Sequence, residues 1–472
     1  MNFSDPLFLV FLLISFIAAK NVYKLGVNTN YILVFFSLIF YVSGGFIYVF
    51  VILSTSIIDF NLIKIIRKES TKYIFKKLCV LFSVMYNLGI LFFFKYLIFA
   101  FTFISEITNV NFILPDFYDN IIIPLGISFF TFQSLSAVLD TFKKTYNAES
   151  LQYFDYLNYL VFFPQLIAGP ISRASDLLLK LKKPKILTKE KFIFSIYYIL
   201  TGLVLKSVVA DSLSVYVDAT HRDVSIATSP QLLLSAIFFS FQIYADFLGY
   251  CLIGLGSALL FGVKLPINFR YPYFSNSISE FWRRWHITLG RWFKDYVYVP
   301  LIQLHDPQIS IISRTVIPLF VVFILSGLWH GADYTFLLWG ALHGTFVMFE
   351  RLVRSKYKLR LLFLGKLYVF VVVTILWIPF RTESLDDLNF YIINFFGNFS
   401  TRNFTHDMGV ANILYLLTLI SLLLLFELIF SKKQFFILKI LLKRPVFIQS
   451  FMILVIILFR NHDTSPFVYF RF

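Results

Sequence analysis

Residues 321–344 read VVFILSGLWHGADYTFLLWGALHG, and two histidines, His330 and His343, interrupt a stretch otherwise apolar enough to sit in a bilayer. Hydrocarbon solvates an ionisable ring poorly, so a histidine kept at that depth is a functional-site candidate before any fold is assigned. The stretch is too long for one crossing and is broken near Gly331, Ala332 and Asp333, which predicts two short spans in a re-entrant or tilted hairpin. Glycines at 327 and 331 flank His330 and are expected to leave room for a substrate beside the ring.

Composition extends this reading to the whole chain. Of its 472 residues 58% are hydrophobic and 14% charged, with a mean hydropathy of +0.78, which excludes an ordinary soluble domain and defines an all-α polytopic membrane protein. The net charge of +16 and the 61 Phe and 27 Tyr could suggest nucleic acid. The Lys and Arg fall instead in short clusters between apolar runs, as in cytoplasmic loops, and no nucleic-acid partner is expected. Cys79 and Cys251 stand far apart in apolar sequence and read as buried structural thiols. The first apolar run, 6–19, lacks a basic start and is followed by Lys20, so it reads as a retained span.

At about 20 apolar residues per crossing, about eleven spans follow, near 5–20, 31–53, 79–104, 121–141, 192–212, 231–262, 315–331, 334–350, 361–380, 411–430 and 445–461. Six Lys and Arg crowd residues 64–77, whereas 105–120 carry none, which puts the former loop inside. Counting on, the N-terminus is expected in the cytoplasm and the C-terminus outside. No internal repeat is evident, and the chain reads as a single membrane domain over 1–472.

Residues 277–300, SISEFWRRWHITLGRWFKDYVYVP, are helical in pattern yet too charged to span. Phe281, Trp285, Leu289 and Trp292 recur at three- or four-residue steps, predicting an amphipathic cytoplasmic in-plane helix that carries His286 with its aromatics turned inward. A surface helix with an incidental histidine would show the same pattern.

Five segments together carry a resemblance: PLGISFFTFQ at 124–133, FFPQLIAGPISR at 162–173, LPINFRYPYFSNSISEFWRRWHITL at 265–289, SGLWHGADYTFLLWGALHG at 326–344 and the closing PFVYFRF at 466–472. In that order they resemble the membrane-bound O-acyltransferase family, of the alginate and peptidoglycan O-acetyltransferase membrane-subunit type, with teichoic acid D-alanyl transfer proteins as more distant relatives. The resemblance implies helices around a central tunnel in the bacterial cytoplasmic membrane. It implies acetyl-CoA as donor with no bound cofactor, and a separate extracytoplasmic acyltransferase as partner.

Carried over residue by residue, His330 matches the family's essential histidine and His286 its second. Acyl transfer from a thioester to a hydroxyl needs a base for the hydroxyl proton and later a proton for the leaving thiolate, and a neutral imidazole supplies both near pH 7. Trp329 and His343 stand in the same motif, His343 with no role derivable from its position. In the aromatic tail 466–472 the resemblance points to Tyr469 as an acyl relay; burial of the tail's rings as a plug or anchor is the alternative.

The remaining candidates are walls and charges. Pro164 and Pro170 break the 162–173 segment, and irregular backbone at membrane depth survives only inside protein or beside a water-filled cavity, so Gln165 and Arg173 are expected along the tunnel. Asp246, in QIYADFLG at 242–249, is a carboxylate inside a span and calls for a partner. The family continues that motif with serines and a second acid, where this chain has Leu248, Cys251 and Leu252. Arg283, Arg284, Arg291 and Lys294 could hold the phosphates of coenzyme A or simply fix topology. No carboxylate or thiolate accompanies the three histidines at a familiar ligand spacing, so no metal is expected. The competing class is a glycan-precursor transporter or flippase, in which buried His and Asp would relay protons.

Overall fold

The computed structural model describes residues 3–26, 28–110, 123–146, 150–166, 169–182, 187–304, 311–357, 362–401, 404–406, 408–461 and 467–468. Among these the regular secondary structure is helical. Among the described residues eight helices are long and apolar enough to cross a membrane, and three shorter apolar helices accompany them. The protein is a multi-pass membrane protein.

The membership of that set differs from the sequence expectation at two places. The span expected over 31–53 is two helices, Thr29–Val42 and Tyr48–Arg67, separated by a turn in which Ser43 Oγ donates to the Phe40 carbonyl at 2.7 Å. Hydropathy averages across so short a turn and fuses its flanks, and the parity count that placed the termini assumed one crossing there. The span expected over 121–141 contains Ile127–Phe142, a helix of 16 residues whose side chains are mostly buried in protein.

The chain packs as two compact units, Met1–Ser195 with Ile253–Pro266, and Ile196–Leu252 with Ile267–Phe472. The first is organised around a buried carboxylate. Asp59, on Tyr48–Arg67, accepts hydrogen bonds from Ser83 at 2.6 Å, Asn87 at 2.7 Å and Ser134 at 2.5 Å, so three helices converge on one acceptor that would be costly in hydrocarbon alone. The 162–173 segment belongs to this unit. Phe163–Leu166 is a single helical turn, and Phe163, Pro164, Gln165 and Leu166 are all buried in protein. That burial is what its broken backbone requires.

The second unit holds the histidines. The hairpin expected around residue 331 is formed by Ile311–His330 and Tyr334–Tyr357, two closely packed helices. The single in-plane helix expected over 277–300 is broken at Trp285 and His286 into Ile278–Arg284 and a second helical stretch, Ile287–Phe293, which runs on as π-helical Lys294–Tyr298 and Val299–Leu304. Phe281, Trp285, Leu289 and Trp292 are nevertheless buried, as the periodicity required. The stretch between the spans expected at 411–430 and 445–461 is largely helical, because Val410–Lys443 runs on through a kink at Lys433.

Candidate active site

His330 is the last residue of its helix and is 3% exposed. The glycines beside it serve packing, which corrects the expectation that they admit a substrate. A Cβ on Gly327 would lie 2.2 Å from the Phe336 carbonyl oxygen, and one on Gly331 2.1 Å from the Phe336 ring. Small residues let the two helices of a membrane hairpin approach to backbone contact, and here Phe336 fills the space they leave. The hairpin thus holds the His330 ring against Trp339, Phe380 and Trp329, with centroids 5.2, 5.4 and 5.0 Å away.

His286 sits at the break between these two helical stretches with φ of 41°, in the left-handed region that costs a residue with a Cβ about 1 kcal/mol. A neighbouring segment braces this turn. Asn268 accepts the Ile287 N–H on its carbonyl at 2.9 Å, and its side-chain oxygen accepts the Thr288 hydroxyl at 2.6 Å and the Thr288 N–H at 3.3 Å. One step along, Arg270 N donates to the Arg284 carbonyl at 3.0 Å. Asn268 also donates to Cys251 Sγ at 3.5 Å, which gives a contact to one position where the chain departs from the family pattern.

So held, His286 is 1% exposed and its ring centroid lies 6.5 Å from that of His330 and 5.8 Å from Trp329. Phe247 closes another side at 4.8 Å. Neither ring nitrogen of His286 has a hydrogen-bond partner among the described residues. Burial pushes its pKa down to about 3, so the ring is neutral throughout the physiological range. Two buried imidazoles with centroids 6.5 Å apart among aromatic rings can take a proton from a reacting oxygen and return it to a leaving group when a substrate reaches them.

His343 makes a separate set of contacts. Its Nδ1 accepts the indole N–H of Trp282 at 3.2 Å, and its ring packs 4.9 Å from Trp339, which also meets His330. With Nδ1 accepting, the neutral ring carries its proton on Nε2. The bond joins the helix before His286 to the helix after His330.

Asp246 has the partner its burial demanded. Its Oδ1 lies 2.9 Å from Lys206 Nζ, which lies 2.7 Å from Asp211 Oδ1, and none of the three side chains is more than 1% exposed. Lys206 stands in the π-helical stretch Val204–Ala210, and Gly249 allows the close approach: a Cβ there would meet the Gly202 carbonyl at 2.8 Å. Sequence reading overlooked Lys206, although the rule that singled out Asp246 applies equally to a lysine in an apolar run. The same cluster holds Phe467 and Val468. Val468 N donates to Asp246 Oδ2 at 2.7 Å, and Phe467, fully buried, packs on Tyr250 at 4.3 Å. Tyr469 lies outside the described residues.

The other candidates separate. Gln165 is buried and Arg173 half-buried in the first unit, whereas the histidines, Asp246 and Trp329 belong to the second. Arg284 is held by Glu280 at 2.6 Å and by the Tyr271 carbonyl at 3.3 Å, while Arg283, Arg291 and Lys294 are exposed.

Two buried histidines in a multi-pass helical membrane protein form the candidate site. The match of residues 52–378 to the membrane-bound O-acyltransferase family model is decisive, and the chain belongs to that family. It is 32% identical over 386 residues to the peptidoglycan O-acetyltransferase of Helicobacter pylori, covering 75% of this chain and 71% of that protein. It is 34% identical over 305 residues to the probable alginate O-acetylase AlgI of Azotobacter vinelandii, covering 64% of this chain and 60% of that one. The teichoic acid D-alanyltransferase of Bacillus subtilis is 28% identical over 231 residues, covering 48% and 58%. The protein is an O-acyltransferase, and its aligned part spans about 60% of the alginate relative's length.

Proposed function

We propose that the enzyme takes an acetyl group from acetyl-CoA on the cytoplasmic side of the bacterial cytoplasmic membrane and passes it outward for O-acetylation of a polysaccharide or peptidoglycan. The observation that carries this reading is the His286 and His330 pair, buried 6.5 Å apart among aromatic rings. The names of the relatives at 32% and 34% identity support the acetyl group and the glycan acceptor.

In this reading His330 takes the proton of the acceptor hydroxyl as its oxygen attacks the thioester carbonyl. The new C–O bond forms, the C–S bond breaks, and the thiolate leaves with the proton that His330 returns. Neutral His286 faces the same space and orients the reacting carbonyl or the leaving sulfur. Exposed Arg283, Arg291 and Lys294 are available to the phosphates of coenzyme A, and Arg284 less so, since Glu280 already holds it. Tyr469 is the proposed first acceptor: its phenol would carry the acetyl group as an ester to an extracytoplasmic transferase. Its neighbour Val468 donates its N–H to Asp246, in the same unit as the histidines.

The test is purified protein with acetyl-CoA labelled in the acetyl group. Transfer or slow thioester hydrolysis that disappears in His330→Gln at unchanged yield is expected. Full activity in that variant removes His330 from the chemistry, and no turnover of the label by the wild-type chain favours a transporter. The D-alanyl relative supports a second reading, D-alanyl transfer to teichoic acid, which a carrier-bound D-alanyl thioester in the same assay would reveal.

A further inference from the structure

The first unit contains a cavity of about 620 Å³ that the acyl-transfer reading does not use. Four helix ends meet around it: the last turns of Pro6–Lys24, the first of Thr29–Val42, the start of the helix at Lys189, and the end of Ser229–Leu260 with its turn at Gly262. Its inner wall is hydrocarbon, from Ala19, Leu33, Leu260 and Phe261. Phe16 draws the wall together, its ring 6.3 Å from Phe192 and 6.4 Å from Phe261. At the mouth stand the exposed ammonium-bearing side chains of Lys20, Lys24 and Lys189, beside exposed Tyr23 and Phe192. No Asp or Glu is among the described residues that line it.

Helices that span a bilayer end at headgroup depth, and Tyr among lysines is the composition of that interface. A site with apolar walls reaching inward and three positive charges at the rim matches a molecule with a hydrocarbon chain and an anionic head. Basic pockets between membrane helices take anionic lipid headgroups in this manner. A neutral or zwitterionic lipid would fill the walls but leave the three ammonium groups without a counter-charge. A soluble phosphate would meet the charges but leave the walls empty.

We infer that this cavity is a binding site for a glycerophospholipid with an anionic headgroup, seated with an acyl chain against Leu33 and Phe261 and its phosphate among Lys20, Lys24 and Lys189. The site stands apart from the histidine pair in the chain's organisation, each lying in a different unit.

The experiment is native mass spectrometry of the full-length protein released from mixed micelles holding equal amounts of phosphatidylglycerol and phosphatidylcholine. Wild-type protein is expected to retain phosphatidylglycerol over phosphatidylcholine by about tenfold, and the triple variant Lys20→Gln, Lys24→Gln, Lys189→Gln to fall to within about twofold. A second triple, Lys68→Gln, Lys72→Gln, Lys77→Gln, removes the same exposed charge elsewhere and should keep the preference. Equal loss in both triples would reduce the effect to general surface charge and overturn the site. Displacement of the lipid by glycerol 3-phosphate or by coenzyme A would overturn it too, by showing that the pocket reads a soluble phosphate.

Discussion

The indole N–H of Trp282 donates to Nδ1 of His343 over 3.2 Å, across 61 positions of sequence. This bond ties the short helix that leads into His286 to the hairpin that carries His330. It gives a fully buried imidazole a hydrogen-bond donor for its Nδ1. A neutral buried hydrogen bond of this kind is worth about 1 kcal/mol net, and leaving the indole unsatisfied costs about 1–3 kcal/mol.

Replacing His343 with Phe should therefore keep the packing against Trp339 but strand the Trp282 N–H. We expect a drop in kcat with little change in KM for acetyl-CoA, and a Tm lower by a few degrees. The double variant Trp282→Phe/His343→Phe should recover most of the lost stability, since neither partner is then left unpaired. Additive losses in that cycle would show that the bond does not couple the two helices.

Asn268 holds the turn at His286 through three acceptor contacts. Asn268→Ala should lower acyl transfer by about tenfold, because the two side-chain contacts to Thr288 are lost and only the backbone contact to Ile287 still braces the left-handed turn at His286. Asn268→Asp keeps the accepting oxygens and should restore part of the activity. A variant series in which Asp and Ala behave alike would argue that only the residue's volume matters.

Lys206 compensates two buried carboxylates, so Lys206→Met should be the most destabilising single change in the second unit, by about 3–5 kcal/mol. Asp246→Asn should cost less, because Lys206 keeps Asp211. Thermal unfolding in detergent, followed by monodispersity on gel filtration, orders the two variants; the reverse order would contradict the assigned pairing.

Burial places the His286 pKa near 3, whereas the same ring in an unfolded chain titrates near about 6.5. The unfolded state then binds the extra proton between those values. The His286 contribution is fully present above about pH 6.5 and is lost as pH falls toward 3. Between pH 7 and pH 5 this amounts to about 2 kcal/mol. His286→Gln should flatten the acid side of a Tm-against-pH profile, and an unchanged slope would mean that the ring is hydrated.

Tyr469→Phe keeps the ring of the tail and removes only the hydroxyl. If the phenol carries the acyl group, this variant should still hydrolyse labelled acetyl-CoA slowly but deliver nothing to the extracytoplasmic acceptor. Normal delivery would make the tail structural.

Hydropathy alone determined that this chain is a helical membrane protein, because the cost of exposing backbone and charge to hydrocarbon is written into composition and span length. The same cost exposed His330, His343 and Asp246, since an ionisable group in an apolar run is visible without any fold. The periodicity of Phe281, Trp285, Leu289 and Trp292 correctly gave the buried face of residues 277–300. It could not give the break at His286, because a left-handed residue whose following turn donates hydrogen bonds to Asn268 leaves no periodic trace. Which charges pair, Lys206 with Asp246 or Val468 with the same carboxylate 222 positions away, was decided only by how the helices pack. So was the use of Gly327 and Gly331: a glycine in sequence says that a side chain would not fit, and only the tertiary structure says that Phe336 is what occupies the room.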